Sequence, residues 1–263
     1  MEIRAEEFEP RRPLPGYLWP AAVGIAVWEL AGRLLGLSSV PPFSDALKAT
    51  FRLIASSEVQ LQLAASVSSL VAGFGISAVF GVALGALMGR FRTIEALLDV
   101  YLDVFLASPS LIYVPILFAF FGVGRLTQVG VIILYSFFVI VAYTLSGVRS
   151  VDKSLVQMAR SFGADERRLF LRVTLPSAWP MILVGLRVGA ARAVKGMING
   201  EMFIAFTGLG ALLKTAGDRV EPAEVWGLLL IVLSVALIFL GLLEIIPQIT
   251  WSPRGRDLLQ RER

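Results

Sequence analysis

The chain contains no histidine and no cysteine among its 263 residues. This excludes zinc sites of the usual ligand type, a Ser-His-Asp triad, a cysteine nucleophile and a haem held by histidine or cysteine. Without cysteine there are no disulfides, so cysteine usage says nothing about the redox compartment. Charge is also scarce, at 17% of residues against about a quarter in an average soluble domain. Because the shortage is concentrated in long uncharged runs, the composition predicts a membrane protein.

Six apolar segments are long enough to cross a bilayer as helices, which takes about 20 mostly apolar residues. They lie at about 17–37, 63–89, 97–121, 127–148, 179–206 and 224–247. The fifth segment is the least apolar, because Arg187, Arg192, Lys195 and Glu201 interrupt it. The sequence therefore predicts an all-α membrane protein with six transmembrane helices.

The basic residues indicate how these helices are oriented, since lysine and arginine are enriched on the cytoplasmic side of membranes. With the N-terminus in the cytoplasm, 15 of the 24 basic residues fall in cytoplasmic segments, six fall outside and three lie within the fifth span. The net charge of +4 thus marks topology, and no nucleic-acid partner is expected. We predict a multi-pass protein of the cell inner membrane, with cytoplasmic tails at 1–16 and 251–263 flanking a membrane domain at 17–250. The first apolar run follows an acidic N-terminus and has no clear cleavage site, which predicts a retained helix.

A short helix is predicted after the first span, from Asp45 to about Ala55, with Ser44 as its N-cap. Its apolar residues Leu47, Phe51 and Ile54 recur at helical spacing. Two interpretations fit this pattern. The helix lies on the external membrane surface, or it packs against other external elements.

Small residues recur at every fourth position of the second span. They are Gly73, Ser77, Gly81, Gly85 and Gly89. Such a ladder lets the backbone of another helix approach closely. A shorter version in the fifth span comprises Gly185, Gly189 and Ala193. Packing within one chain is the favoured interpretation, and a seam between two copies is the alternative.

Two prolines predict a bend in the third span. Pro109 and Pro115 lie in an uncharged run from 104 to 124. Proline removes a backbone N–H and frees carbonyl groups, so it bends a transmembrane helix. Such a bend either borders a transport path or accommodates packing.

The segment between the fourth and fifth spans predicts two short helices. Asp152 is a suitable N-cap for the first, which runs from about Lys153 to Phe162. Gly163 suits the left-handed turn that ends a helix. Asp165 suits the positive N-terminal end of the second helix. Pro176 is then expected to stop this helix before the fifth span.

This loop, at about 149–176, carries an apolar stripe at helical spacing. The stripe consists of Leu155, Met158, Ala159 and Phe162. Four arginines surround it, namely Arg160, Arg167, Arg168 and Arg172. Two interpretations remain open: the arginines hold an interfacial helix to anionic lipid, or the stripe is a docking surface for a cytoplasmic partner.

The same loop resembles the EAA loop of bacterial ABC-importer permeases. That motif reads Glu-Ala-Ala, three residues, Gly, nine residues, then Ile-x-Leu-Pro. Here Gln157-Met158-Ala159 is followed by three residues and Gly163, and nine more residues lead to a Val-Thr-Leu-Pro stretch ending at Pro176. The spacing fits in full, while Gln, Met and Val replace Glu, Ala and Ile. Further stretches resemble the nitrate/sulfonate/taurine-type branch, so that the resemblance covers about 17–250. They are residues 40–45, 147–152, 160–164, 175–178, 185–187, 200–202 and 208–210.

The resemblance implies a coupling role for the first loop helix, which would dock into a groove of an ATPase subunit. The implied contact residues are Leu155, Gln157, Met158, Ala159, Arg160, Phe162, Gly163, Leu175 and Pro176. No G-x-x-x-x-G-K-[ST] phosphate loop occurs in the sequence. ATP and magnesium would therefore be bound by the separate ATPase. This subunit is expected to be a transport component, neither an enzyme nor a cofactor carrier. The other expected partners are the lipid bilayer, a second copy in a two-fold dimer and a substrate-binding protein.

Three polar residues share one face of the fifth span. Arg192, Lys195 and Asn199 fall within about 60° of one another at about 100° per residue, and Glu201 lies on a different face. A charge at membrane depth is costly and rarely faces lipid. Three interpretations remain open. Arg192, Lys195, Asn199 and Glu201 line a translocation path for an anionic or strongly polar solute, or they lie at the membrane interface. Alternatively, Arg192 or Lys195 forms an internal ion pair with Glu29, Asp99, Asp103 or Glu201.

The predicted function is the permease subunit of an ATP-driven ABC importer for a small polar, anionic solute of the nitrate, sulfonate or taurine kind. An importer of a pyrimidine or flavin vitamin precursor in the same branch is one alternative. A self-contained secondary transporter is another, although it requires internal repeats and a coupling-ion site that the sequence does not show.

Overall fold

The computed structural model describes the backbone of residues 15–34, 39–204 and 207–250, and the side chains of 19–34, 39–204 and 207–244. Within these residues the regular elements are all helices. The predicted C-terminal tail at 251–263 and nearly all of the predicted N-terminal tail at 1–16 lie outside the described residues.

Eleven α-helices are described in chain order. They are α1 (Pro15–Leu34), α2 (Phe43–Ala55), α3 (Ser57–Arg90), α4 (Arg92–Ala107), α5 (Val114–Phe121), α6 (Arg125–Arg149), α7 (Lys153–Ser161), α8 (Glu166–Leu169), α9 (Leu175–Ile204), α10 (Leu209–Asp218) and α11 (Pro222–Thr250). A 3-10 turn at Ser110–Tyr113 precedes α5, and a π-helical turn at Phe170–Thr174 joins α8 to α9.

Four helical segments among the described residues are long and apolar enough to cross a membrane. They are α3, α6, the continuous rod Glu166–Ile204 and the Pro222–Glu244 part of α11. The pair formed by α4 and Ser110–Phe121 is a fifth candidate if it is counted as one broken span. The helix α1 is not among these candidates, because its side chains are described only over residues 19–34, which is too short a stretch to count as a span. The all-helical membrane fold is thus confirmed, whereas the predicted count of six is not.

The third predicted span is not one continuous helix. It breaks between α4 and the 3-10 turn, where the two halves meet at 102°. Ser108 is extended there (φ −77°, ψ 140°), the conformation favoured before a proline such as Pro109. Pro115 has a different effect, because it lies in the first turn of α5, where a backbone N–H is not needed.

Two predicted helix boundaries are wrong. Pro176 does not stop a helix, because the π-helical turn ahead of it carries the chain from α8 into α9 without a break. Ser44 is not the N-cap of α2, since Pro42 occupies that position. The backbone N–H and hydroxyl of Ser44 instead donate to the Glu29 carboxylate of α1, at 2.9 and 3.0 Å.

The small-residue ladder of α3 lies on the face that packs against α6. A Cβ atom added at Gly85 would lie 2.6 Å from the carbonyl oxygen of Val141. The Ser136 hydroxyl donates to Ser77 Oγ at 2.8 Å across the same contact. Small residues at these positions let the two backbones approach so closely.

The helix α9 packs on a second side of α6 by the same device. A Cβ atom added at Gly189 would lie 2.6 Å from Ile140 Cγ1, and one at Gly196 would lie 2.9 Å from Tyr135 Cβ. The main apolar core fills the space between the three helices. Its buried members are Leu70, Phe74, Ile132, Ile140, Ala190, Ala193, Val194 and Met197.

The long helix α3 separates two ends of the bundle, because 34 residues span about 50 Å. Its first turn packs through Val59 against α10 and α11, next to α2. At its other end the Arg90 guanidinium lies 5.1 Å from the centre of the Phe170 ring in the 149–176 loop. The helix α2 and the 149–176 loop therefore lie at opposite ends of the bundle.

We expect Gly85→Ala to lower the free energy of unfolding by about 1–3 kcal/mol, because the new methyl group meets backbone and not a flexible side chain. Gly75→Ala is the matched control on the same helix, since a Cβ atom there meets nothing within 4 Å. Thermal unfolding of both variants in detergent, followed by size exclusion, tests this. Equal unfolding temperatures would contradict the close packing of α3 on α6.

Candidate functional site

The 149–176 loop begins with a well-capped helix. The Asp152 carboxylate accepts a hydrogen bond from the backbone N–H of Ser154 at 2.8 Å, which starts α7. This hydrogen bond lowers the pKa of Asp152, because it stabilises the ionised carboxylate. At the other end Gly163 takes the left-handed conformation with φ +78°, as the sequence predicts for a helix-ending glycine. A second cap follows, in which Asp165 accepts from the backbone N–H of Arg168 at 2.7 Å.

The apolar stripe of α7 points away from the rest of the described protein. Leu155, Met158 and Phe162 are 40%, 53% and 85% exposed. Gln157 and Arg160 are exposed as well, Ala159 is half-buried, and no residue of α7 is buried. A surface of large apolar side chains with a basic rim suits an interaction partner.

The base of the loop is held firmly by the bundle. Phe170 and Leu175 pack against the buried residues Val148, Ala178 and Ile182 of α6 and α9. Arg160 and Glu166 form an ion pair at 2.8 Å that ties α7 to α8. The remaining predicted contact residues, Gly163 and Pro176, are exposed. The loop is therefore an anchored base with a projecting helix.

An ion pair between Arg149 and Glu95 connects the start of this loop to α4. Around it Gly89, Arg92 and Asp99 help to line an open cleft of about 640 Å³. Sequence reasoning missed Glu95, because its partner lies 54 positions further along the chain. A lone acidic residue in the first turn of a helix gives no sign of so distant a contact.

The polar residues of α9 lie on one exposed face, as the spacing predicts. Arg192, Lys195 and Asn199 are all exposed. Asn199 Nδ2 donates to the Tyr135 hydroxyl of α6 at 3.1 Å, which extends this polar face across a second helix. No ion pair between described residues involves Arg192 or Lys195. Arg187, nearer the loop, lies 3.8 Å from Glu244 of α11.

Glu201 lies elsewhere, fully buried between helices. Gln128 Nε2 of α6 donates to one of its carboxylate oxygens, and the backbone N–H of Gly210 donates to the other at 2.8 Å. The Oε1 atom of Gln128 in turn accepts from the Ser69 hydroxyl at 3.1 Å. Glu201 therefore contacts an amide and a backbone N–H, not the lysine and arginine of its own helix.

The Glu201 carboxylate is one of three side-chain groups that hold the start of α10. Gln62 and Ser66 of α3 accept hydrogen bonds from the backbone N–H groups of Gly208 and Leu209, at 2.5 and 2.9 Å. Three consecutive N–H groups at this helix end thus find acceptors. Gly208 has φ +95°, and a Cβ atom there would collide with the Glu201 carboxylate, so only glycine fits.

These arrangements suit binding. The projecting stripe of α7 can enter an apolar groove, and the cationic face of α9 can attract anions. Within the described residues, no group of three or more aspartates and glutamates is placed to hold a metal ion.

Comparison with known proteins gives a family match over most of the chain. The family described as "Binding-protein-dependent transport system inner membrane component" matches residues 78–248. This stretch contains the 149–176 loop, the polar face of α9, and Glu201 with its partners Gln128 and Gly210.

Several transport proteins are similar in sequence. A putative aliphatic sulfonates transport permease of Bacillus subtilis is 30% identical over 236 residues, which cover 88% of this chain and 85% of that protein. The taurine transport system permease of Escherichia coli is 31% identical over 68% of this chain and 66% of its own length. The formylaminopyrimidine transport permease of Halalkalibacterium halodurans is 30% identical over 71% and 74%.

The fold is similar to that of a solved transporter. A crystal structure of an amino acid ABC transporter with histidines matches with a TM-score of 0.60 at 19% identity. The match covers 78% of this chain and 97% of the other. At this identity the likeness concerns the fold alone.

We expect Glu201→Ala to lower the free energy of unfolding by at least about 2 kcal/mol, because it leaves buried hydrogen-bond donors of Gln128 and Gly210 without an acceptor. The matched control is Asn199→Ala, two residues away on the exposed face, for which a small change is expected. Thermal unfolding in detergent measures both. An unfolding temperature of Glu201→Ala equal to that of the control would contradict an anchoring role.

Proposed function

Since the chain belongs to the family of binding-protein-dependent transport system inner membrane components, we propose that two copies of it form the membrane path of an importer for a small anionic solute. The chain is an ABC-importer permease, a transport component of the inner membrane that crosses the bilayer several times. We propose the class of solute, the dimer and the partners. We also propose that each copy has six membrane spans, counting α1 and the broken α4–α5 pair, and that both termini are cytoplasmic.

The projecting helix α7 is the main support for a separate ATPase partner. It exposes large apolar side chains on an anchored base. The positive-inside rule supports a cytoplasmic position for this side of the bundle, because 15 of the 24 basic residues fall in the segments predicted to be cytoplasmic. The sequence has no phosphate loop of its own, so ATP and magnesium would be bound by the partner. Docking of α7 into an apolar groove of that partner would bury the stripe. The anchored base would then pass movement of the partner to α9.

The cationic face of α9, formed by Arg192 and Lys195, supports a path for anions. Lys195 lies nine residues before the end of α9, about 14 Å along the helix axis. If α9 ends at the membrane boundary, this distance supports a position near the middle of a membrane about 30 Å thick. A cation at that depth does not face lipid without a large cost. A water-filled path between two copies would solvate Arg192 and Lys195 and would attract negatively charged solutes.

The solute class follows from that charge and from the relatives. Two of them are named for aliphatic sulfonates and for taurine, and both kinds of solute carry a sulfonate anion. We therefore propose a small sulfonate-like anion, delivered by a binding protein as the family description implies. The relative named for formylaminopyrimidine supports a vitamin precursor as the second candidate. A self-contained secondary transporter no longer applies, because the family is that of ABC importers.

The docking role of α7 predicts that Leu155→Gln combined with Met158→Gln lowers both recovery of the ATPase with the permease and solute uptake by about tenfold. Both side chains are exposed, so the unfolding temperature should stay the same. Lys153→Gln, on the opposite face of α7, is the control and should assemble normally. Normal assembly of the double variant would exclude α7 as the ATPase contact.

The anion path predicts that Lys195→Met lowers uptake of radiolabelled taurine or an alkanesulfonate by about tenfold in a fully assembled complex, because a charge facing the solute is lost. Lys195→Arg should retain most of the uptake. Lys214→Met is the control, since Lys214 pairs with Asp218 on α10 at 2.7 Å, away from this face. Unchanged uptake by assembled Lys195→Met would show that this residue lies outside the path.

A further inference from the structure

The orientation of α2 about its own axis is fixed by contacts with α11. Ala46, Ala49 and Thr50 are buried on one face. The Thr50 hydroxyl lies within hydrogen-bond distance of two carbonyl oxygens, that of Ala46 at 2.9 Å and that of Gly227 at 3.2 Å. A Cβ atom at Gly227 would lie 3.1 Å from the Thr50 nitrogen. Small residues on both helices thus bring the backbones together and leave α2 no freedom to rotate.

The remainder of α2 divides into an apolar face and a charged face. Leu47, Phe51 and Ile54 are exposed, with Phe51 at 67%. At about 100° per residue these three side chains lie roughly 120° around the axis from the packed face. The exposed residues Asp45, Lys48 and Arg52 lie roughly 120° further on. The helix therefore has three faces, towards protein, towards an apolar environment and towards a polar one.

An aromatic cluster at the start of α2 indicates its depth relative to the bilayer. The rings of Trp28 and Trp226 lie 4.9 Å apart, and Phe43 lies 5.2 Å from Trp28. Each indole N–H donates to a backbone carbonyl of the connection after α1, that of Ser39 or that of Pro41. Tryptophan is enriched where the hydrocarbon of a membrane meets water. Trp226 is also one residue before Gly227, the contact point of α2.

We infer that α2 lies in the membrane–water boundary of the leaflet opposite the 149–176 loop, with Leu47, Phe51 and Ile54 against the lipid acyl chains. Asp45, Lys48 and Arg52 then face the headgroups and water, where basic side chains meet lipid phosphate. The three faces of α2 and the aromatic cluster at its start agree on this placement. A second copy of the chain or a binding protein on the same stripe would be a different occupant.

The absence of cysteine makes the placement directly testable, because a single introduced cysteine is the only thiol in the chain. Phe51→Cys and Lys48→Cys report on the apolar and the charged face of the same helix. Each variant is labelled with an NBD fluorophore and reconstituted with its partner subunits in phosphatidylcholine–phosphatidylglycerol vesicles. Quenching is measured with doxyl-labelled lipid and with aqueous iodide. Both positions are exposed, so uptake and unfolding temperature should match those of the unmodified complex.

The label at position 51 should be quenched several-fold more by doxyl lipid than the label at position 48, with the reverse order for iodide. Equal iodide quenching at both positions, with no effect of doxyl lipid, would overturn the proposal in favour of a water-exposed helix. Protection of position 51 from both quenchers would overturn it in favour of a protein occupant. If adding the binding protein relieves lipid quenching at position 51, that protein displaces lipid from the stripe and the proposal fails for the assembled importer.

Discussion

The close approach of α3 and α9 to α6 is the constraint on which the rest of the molecule depends. Apolar side chains gain little by moving from lipid to protein, so helices in a membrane associate through tight packing and hydrogen bonds. Glycines supply the packing and the Ser77–Ser136 pair supplies a hydrogen bond. Because Gly189 and Gly196 must face α6, the rotation of α9 is fixed. The cationic face of α9 then lies about a quarter turn around the helix axis from these glycines, and the Glu201 side chain points away from the cationic face.

This rotation connects features at both ends of the bundle. Glu201 can reach Gln128 and the start of α10 only when α9 is turned in this way, and the same helix continues back through the π-helical turn to Glu166. The 149–176 loop and the α10 anchor are therefore the two ends of one rod of 39 residues. In contrast, α4 and the segment Ser110–Phe121 meet at 102° across the break at Pro109 and do not form one continuous rod. A partner that displaces the loop would move the cationic face and the α10 anchor together.

Local chemistry made much of this predictable from the sequence. Long uncharged runs predict the helices, and Asp152 and Gly163 predict both ends of α7, since each acts on its neighbours in the chain. Features that depend on distant partners were not predictable. Ser44 has the chemistry of a helix cap, but a carboxylate from α1 takes both of its donors. In the sequence, Glu201 is an acidic residue within an apolar segment, for which a basic partner would be expected. Only the fold shows that amide and backbone N–H groups surround its carboxylate.

The helices α2 and α7 show why the same sequence pattern can have two meanings. Both are short and amphipathic, and both expose large apolar side chains such as Phe51 and Phe162. The first is held along its side by α11 and lies beside Trp28 and Trp226, and the surroundings that we propose for it are lipid. The second has no buried residue and projects from the side richest in arginine, where water is the medium. An apolar face exposed to water needs a protein partner, whereas one exposed to lipid already has its solvent.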